Sequence, residues 1–322
     1  MGSPRVVGRA TALHHNPKAD LHLVFAHPST SYADHFLAEA LAARGVGVLN
    51  VDGRYVDDAY DLRFLDAALD VAIAVDACVP RGARTVLVGH SGGGPLMALV
   101  QTRFGVGHAL VLLAAHPSRA HILHGWIDPS VRADGTRDPA LDLYSREPPL
   151  DPAFLAAYRA AQTQRLVNLG REAGRHLLDG EPEARVPLRY IFAAPRFVDR
   201  KIDKNRRDPT RFPFGNPARV NAREGFMGGW VTARSFLDQW YLPTTSANGL
   251  ALAPYLDVPV LHLAFGADHL VFPSHSDAWT SALPGRLTEA GVVPKALHNP
   301  RLQPRVVQRI AERMLAWLGA GG

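Results

Sequence analysis

The first third of the chain alternates two kinds of apolar pattern. Continuous apolar runs occur at Leu21–His27 (LHLVFAH), Val46–Asp52 (VGVLNVD), Arg84–His90 (RTVLVGH) and His108–His116 (HALVLLAAH), each short and rich in valine and leucine. Such runs predict strands buried on both faces. Between them lie segments of helical spacing: ADHFLAEALAARG, closing at Gly45; Leu62 to Val79, stopped by Pro80; and about Gly92 to Phe104. A proline ends a helix because it lacks the N–H and clashes with the preceding turn. Strands alternating with helices predict βαβ units, hence a mostly parallel sheet with right-handed crossovers and helices on both faces. The opening PRVVGRATALHH predicts an antiparallel strand added at the edge.

The pattern breaks after His116 and returns at VPVLHLAFGADH, residues 258–269. Beyond it come a helix near HSDAWTSAL, a short strand in GVVPKALH and an amphipathic helix, PRVVQRIAERMLAWL. The segment between holds prolines, arginines, more than half of the aromatic residues and short helix-like pieces such as DPAFLAAYRAAQTQRLVNLGREA. The expected organisation is an α/β core from residues 1–116 and 258–322, with residues 117–257 inserted between two strands as a cap. No internal repeat and no low-complexity stretch interrupts this reading.

Length and composition narrow the classes. A chain of 322 residues suits one core with a sizeable insertion. The net charge of +5 raises nucleic acid as a partner, but the one dense basic run, Arg200 to Arg211, is interrupted by Asp203 and Asp208 and carries no nucleic-acid module. It reads as a solvated, ion-paired loop. No apolar run is long enough to cross a membrane, and the N-terminus lacks the apolar stretch of a secretory signal. The single cysteine, Cys78, excludes an internal disulfide and a thiolate metal site, and reads as a small apolar residue on a helix face. The expectation is a cytoplasmic enzyme of a small molecule, without nucleic-acid or membrane partner.

The chemistry concentrates at Gly89-His90-Ser91-Gly92-Gly93, which fits G-x-S-x-G between a strand and a helix. A sharp turn there presents the serine hydroxyl above the sheet, and neighbouring chain can approach only where side chains are minimal. A phosphate-binding glycine turn is disfavoured, because neither a Lys-Ser/Thr ending nor G-x-G-x-x-G is present. A serine hydroxyl needs a base, an acid that orients the base, and N–H donors for the oxyanion. Asp268, on the loop after the returning strand, is the expected acid, with Asp277 as rival at the start of a helix. His298, between the last strand and the final helix, is the expected base; His269 and His275 sit too near the acid loop. The Gly92 N–H is the first oxyanion donor, and Ser29, ahead of Thr30, the second, since Pro28 has no N–H. His27, His90, His116, Trp126, Trp230 and Trp240 are candidates for the substrate pocket, with Phe226 as a further aromatic and GFMGGW as a hinge or turn. Arg196 and Arg234 are weighed for a substrate carboxylate. His116, His121 and His124 lack the spacing of a metal motif, so neither metal nor cofactor is expected.

The order of elements together with GHSGGG, GADHLVFP and LHNPRLQP resembles the α/β-hydrolase superfamily over the whole chain outside the insertion. The insertion resembles that of a group of bacterial α/β hydrolases in AAHPSRAHILHGWIDPSV, DPAFLAAYRAAQTQR and SFLDQW. The resemblance implies Ser91 as nucleophile, Asp268 as acid, His298 as base, and Gly92 with Ser29 as oxyanion donors. Two departures stand out: His27-Pro28 where the superfamily often has His-Gly, and DGRYVDDAYD where D-x-R-G-x-G-x-S often follows the next strand. In the latter, Asp52, Arg54, Tyr55 and Asp57 are candidates for the same side of the pocket. The implied reaction is hydrolysis of an acyl bond, a carboxylic ester first, with thioester and lactone as neighbours. Carbon–carbon cleavage, a non-hydrolytic rearrangement, and ligand binding with little turnover are the competing readings.

Overall fold

A computed structural model describes residues 4–132, 135–188, 190–208, 211–223 and 229–322. The apolar runs form strands β1 (Pro4–Val7), β2 (Ala10–His15), β3 (Leu21–His27), β4 (Gly47–Asp52), β5 (Arg84–His90) and β6 (Ala109–Leu113), then β7 (Arg185–Val186), β8 (Val231–Thr232), β9 (Val260–Phe265) and β10 (Thr288–Val293). Eight of them make one sheet in the order β1-β2-β4-β3-β5-β6-β9-β10, parallel from β4 to β10, with β7 and β8 paired separately. β1 and β2 pair antiparallel at the edge, so the opening segment supplies a hairpin where one strand was expected.

Central strands such as β5 and β6 are buried along nearly their whole length because helices cover both faces. On one face Phe64–Cys78 and Gly93–Phe104 pack through Phe64, Val71, Leu96 and Val100; on the other the C-terminal helix Pro304–Gly319 packs through Ile310, Met314 and Trp317. Cys78 packs against the edge of the first of these clusters. Among the described residues, no helix is long and apolar enough to cross a membrane.

Three elements depart from the sequence expectation. The first helix is only Ala38–Ala42, because Tyr32 and His35 draw the preceding residues into turns, with Leu37 N–H donating to His35 Nδ1. The last strand starts earlier, at Thr288, and stops at Val293, since Pro294 brings no N–H to the ladder. The helix-like stretch from Asp151 to Ala173 runs on into one 27-residue helix, Pro152–Leu178, opened by the Asp151 carboxylate accepting the Phe154 N–H.

The inserted segment has its own apolar cluster, from Ile122 and Trp126 through Phe192 and Val220 to Phe236 and Trp240. Its closing residues Ala247, Ala253 and Leu256 pack instead into the main core. The Phe64 N–H donates to Asp238 at 2.6 Å and ties the insertion to the helix beneath it. The strand register matters most for chemistry. His27 lies opposite Asp52, His90 opposite Leu113, and Leu113 opposite Leu263, so the loops after β3, β5, β6 and β9 leave one edge of the sheet together. A crevice at the carboxyl ends of parallel strands is where ligands bind in such sheets.

Candidate active site

Ser91 leaves β5 with φ +56°, a left-handed conformation that costs a non-glycine residue roughly 1–3 kcal/mol. The turn is held by Ser91 N–H donating to Leu113 O at 3.0 Å and Gly94 N–H donating to Ser91 O at 3.1 Å. Its tightness explains the glycines. A Cβ on Gly89 would stand 2.5 Å from Gly93 O, and one on Gly93 would stand 2.5 Å from Ala26 O, both closer than any side chain is tolerated.

Asp268 and His298 reach the same point from the loops after β9 and β10. His298 Nδ1 lies 2.8 Å from Asp268 Oδ2, and His298 Nε2 lies 3.0 Å from Ser91 Oγ. A carboxylate can only accept, so His298 carries its proton on Nδ1 and turns the Nε2 lone pair toward the serine hydroxyl. Asp268 is fully buried, and its other oxygen accepts from Leu270 N–H at 2.7 Å and Val271 N–H at 3.0 Å. The loop-capping turn and the contact with histidine therefore coexist on one carboxylate. Its rival Asp277 is exposed on the helix Pro273–Ala282.

The opposite wall departs from expectation at Ser29. Its N–H points to His27 Nδ1 at 3.3 Å, and the Thr30 N–H donates to the same nitrogen at 3.0 Å. Two donors on Nδ1 place the ring proton of His27 on Nε2. That Nε2 would be 2.7 Å from a Cβ on Gly92, with His116 Nε2 at 3.3 Å, so both rings flank the residue after Ser91. Burial, with Arg119 and His116 adding to it, pushes the pKa of His27 well below the usual histidine range and keeps it neutral. His116 is shifted in the same direction, by burial first and by His275 next.

His90 lies behind the site. Its Nε2–H donates to the carbonyl of His298 at 2.9 Å, and Tyr32, whose hydroxyl donates to His90 O at 2.9 Å, packs alongside. It supports the backbone of His298. Trp126 packs against Phe192 at a tilt and against Phe197 edge-on in the core of the insertion. Trp240 is buried beside Arg119, whose guanidinium carbon sits 5.5 Å from its ring. Trp230, 41% exposed, lines a separate cavity with Pro129, Tyr190 and Leu169, and Arg185 lies over its ring. Phe226 and most of GFMGGW fall outside the described residues.

Other candidates are engaged elsewhere. Arg54 pairs with Asp70 and Tyr55 with Asp66, while Asp52 accepts from Ser31 and from the Tyr32 N–H. Arg196 pairs with Asp203, and Arg234 with Asp61. His121 bonds Ser118, and His124 bonds Thr163. His269 and His275 are both buried: His269 Nε2–H donates to Asp208 O, and His275 Nδ1 accepts the Phe272 N–H. In the basic run, Arg207 is buried and donates to the carbonyl oxygens of Asp203, Arg196 and Ile202, so it organises the loop from within.

Arg119 was not singled out from the sequence. It opens the helix Arg119–Trp126 behind the Ser118 cap, where the helix dipole disfavours a cation, and that misfit is the local signal for it. Its guanidinium donates to Ser29 Oγ and to Gln239 Oε1.

No family model matches the sequence, and no curated protein matches it. Solved structures do match over nearly the full length. An alpha/beta hydrolase, GrgF, from Penicillium sp. sh18 shares 13% identity over 99% of this chain and 97% of its own, with a TM-score of 0.57. Est1E from Butyrivibrio proteoclasticus with bound ferulic acid shares 13% identity over 99% and 100%, with a TM-score of 0.55. A monoacylglycerol lipase from Paleococcus ferrophilus shares 16% identity over 97% and 98%, with a TM-score of 0.54. With these likenesses, a mostly parallel eight-stranded sheet covered by helices and a serine on the turn after its fifth strand, the chain has the α/β-hydrolase fold.

Proposed function

We propose that the protein is a serine hydrolase that cleaves the acyl bond of a small molecule, a carboxylic ester first, through Ser91, His298 and Asp268. The observation that carries this reading is the hydrogen-bonded chain from Asp268 through His298 to Ser91, drawn from three different loops. The likeness to a monoacylglycerol lipase adds weight to ester as the bond cleaved. Residues 117–257, most of which pack around a core of their own above the carboxyl ends of the strands, serve as a cap that narrows the site.

In the acylation step Ser91 Oγ attacks the carbonyl carbon while its proton passes to His298 Nε2. Collapse of the tetrahedral intermediate breaks the bond to the leaving alcohol, which takes that proton. Water then adds to the acyl-enzyme with His298 as base, and the acid and free Ser91 are released. Asp268 stabilises the imidazolium and fixes its tautomer. The oxyanion is met by the Gly92 N–H, one of the amides a helix N-terminus leaves without an internal partner. The second donor is the Nε2–H of His27, with the Ser29 and Thr30 amides holding that ring in place.

Intact mass after incubation with a fluorophosphonate tests the reading. A single adduct, mapped to the peptide that contains Ser91, is expected; a protein that stays unlabelled would sink covalent hydrolysis and leave non-covalent chemistry or ligand binding. The role of His27 has its own test. His27→Asn keeps an acceptor for the two amides but loses the distal donor, and kcat should fall about 100- to 1,000-fold with little change in KM. His27→Gln restores an amide donor at the distal position and should lose roughly tenfold or less. Equal losses in both variants would make the ring a structural tie only.

A further inference from the structure

Arg119 is 8% exposed, and among the described residues its guanidinium donates to the neutral acceptors Ser29 Oγ and Gln239 Oε1. The rings of Phe64 and Trp240 flank it at 5.9 and 5.5 Å. Among the described residues no carboxylate pairs with it. Arg207, the other arginine as deeply buried among the described residues, donates to a ring of carbonyl oxygens with Asp203 and Asp199 nearby, and the partly exposed Arg54 and Arg196 pair with Asp70 and Asp203. Burial lowers the Arg119 pKa to about 10 with no acid opposing the shift, so the group remains cationic at neutral pH. A buried cation without a counter-charge is costly to the folded protein, and an anionic ligand would relieve that cost.

Its position tells where that anion belongs. Arg119 holds the hydroxyl of Ser29, two residues beyond His27, and its charge depresses the proton affinity of both His27 and His116. These are the two rings that flank Gly92 beside the nucleophile. The acid of the site, Asp268, is taken up by His298 and by its own loop. The remaining N–H groups of the Arg119 fork, and the Ser29 hydroxyl proton, are thus donors beside the oxyanion wall with no acidic partner of their own. A planar fork beside a hydroxyl matches a carboxylate, which can accept from both.

We infer that Arg119 binds an anionic group of the substrate, and that the natural substrate is an ester or thioester whose acyl part carries its own carboxylate. This inference rests on the serine-hydrolase reading and adds the substrate class to it. A half-ester of a dicarboxylic acid is the simplest member: water is consumed, the alkyl–oxygen group leaves as alcohol, and the free dicarboxylate is released.

The experiment compares kcat/KM for monoethyl glutarate and monoethyl adipate with that for ethyl pentanoate, following products by mass spectrometry, with p-nitrophenyl acetate as a general acyl substrate. The wild type is expected to prefer a half-ester by about 30-fold, the worth of a charged hydrogen-bonded contact, and Arg119→Gln to bring that ratio to within roughly threefold of one. A wild type that turns over p-nitrophenyl acetate at Ser91 yet treats half-esters and the neutral ester alike overturns the assignment of Arg119 and leaves the hydrolase reading standing. So does a preference that survives in Arg119→Gln. The wild-type comparison stands whether or not the variant folds. Failure to turn over any of these esters overturns both readings together.

Discussion

Ser91→Ala is expected to lower kcat for p-nitrophenyl acetate by about a million-fold, the scale on which loss of a nucleophile removes covalent catalysis. In the proposed mechanism the hydroxyl is the atom of the triad that bonds to substrate, and His298 Nε2 is oriented toward Ser91 itself. KM should change little, because the acyl and alcohol contacts are left in place. The substitution keeps the strained φ of +56° and removes no Cβ, so the melting temperature should move by no more than a few degrees. Steady-state kinetics on protein whose circular dichroism matches the wild type checks this; a variant that retains more than about one per cent of kcat would remove Ser91 from the chemistry.

Asp268→Asn comes next in size, with an expected loss of about 10,000-fold in kcat. The physical reason lies in how the two carboxylate oxygens are divided. Leu270 and Val271 N–H both donate to Oδ1, so an asparagine keeps its carbonyl oxygen there and turns its NH2 toward His298. His298 Nδ1 must then accept, its proton moves to Nε2, and the base can no longer take the serine proton. Because the loop bonds survive, the variant should fold as the wild type does. Asp277→Asn, on the exposed helix face, should stay within about twofold in kcat, as surface substitutions away from a site usually do. Equal activity in Asp268→Asn and wild type would transfer the acid role elsewhere.

The elements that the pattern of apolar residues made visible are those whose signal is local. β3, β4, β5, β6 and β9 were legible because a strand buried on both faces must be apolar throughout, and the C-terminal helix because a half-buried helix must be apolar on one side. The short first helix was overestimated, since its periodicity continues through Asp34 and His35 while local bonds between Tyr32 and Ala38, with Arg301 on Asp34, hold those residues in turns. The 27-residue helix was legible from Asp151 to Ala173 and no further, because its buried residues, from Tyr158 through Leu166 and Leu169, end at Ala173.

By itself the sequence determined the parallel α/β architecture, the insertion between β6 and β9, and the candidates Ser91, Asp268 and His298, because each follows from contiguous residues or from the order of loops along the chain. Tertiary structure decided what no short window contains. It brought Asp268 and His298 onto Ser91 across 177 and 207 positions, turned the Ser29 amide onto His27, and set Arg119 against a serine 90 residues away. The proton on His27 Nε2 and the uncompensated charge of Arg119 follow from which neighbours surround a side chain, and those neighbours are chosen by the packing of the insertion over the sheet.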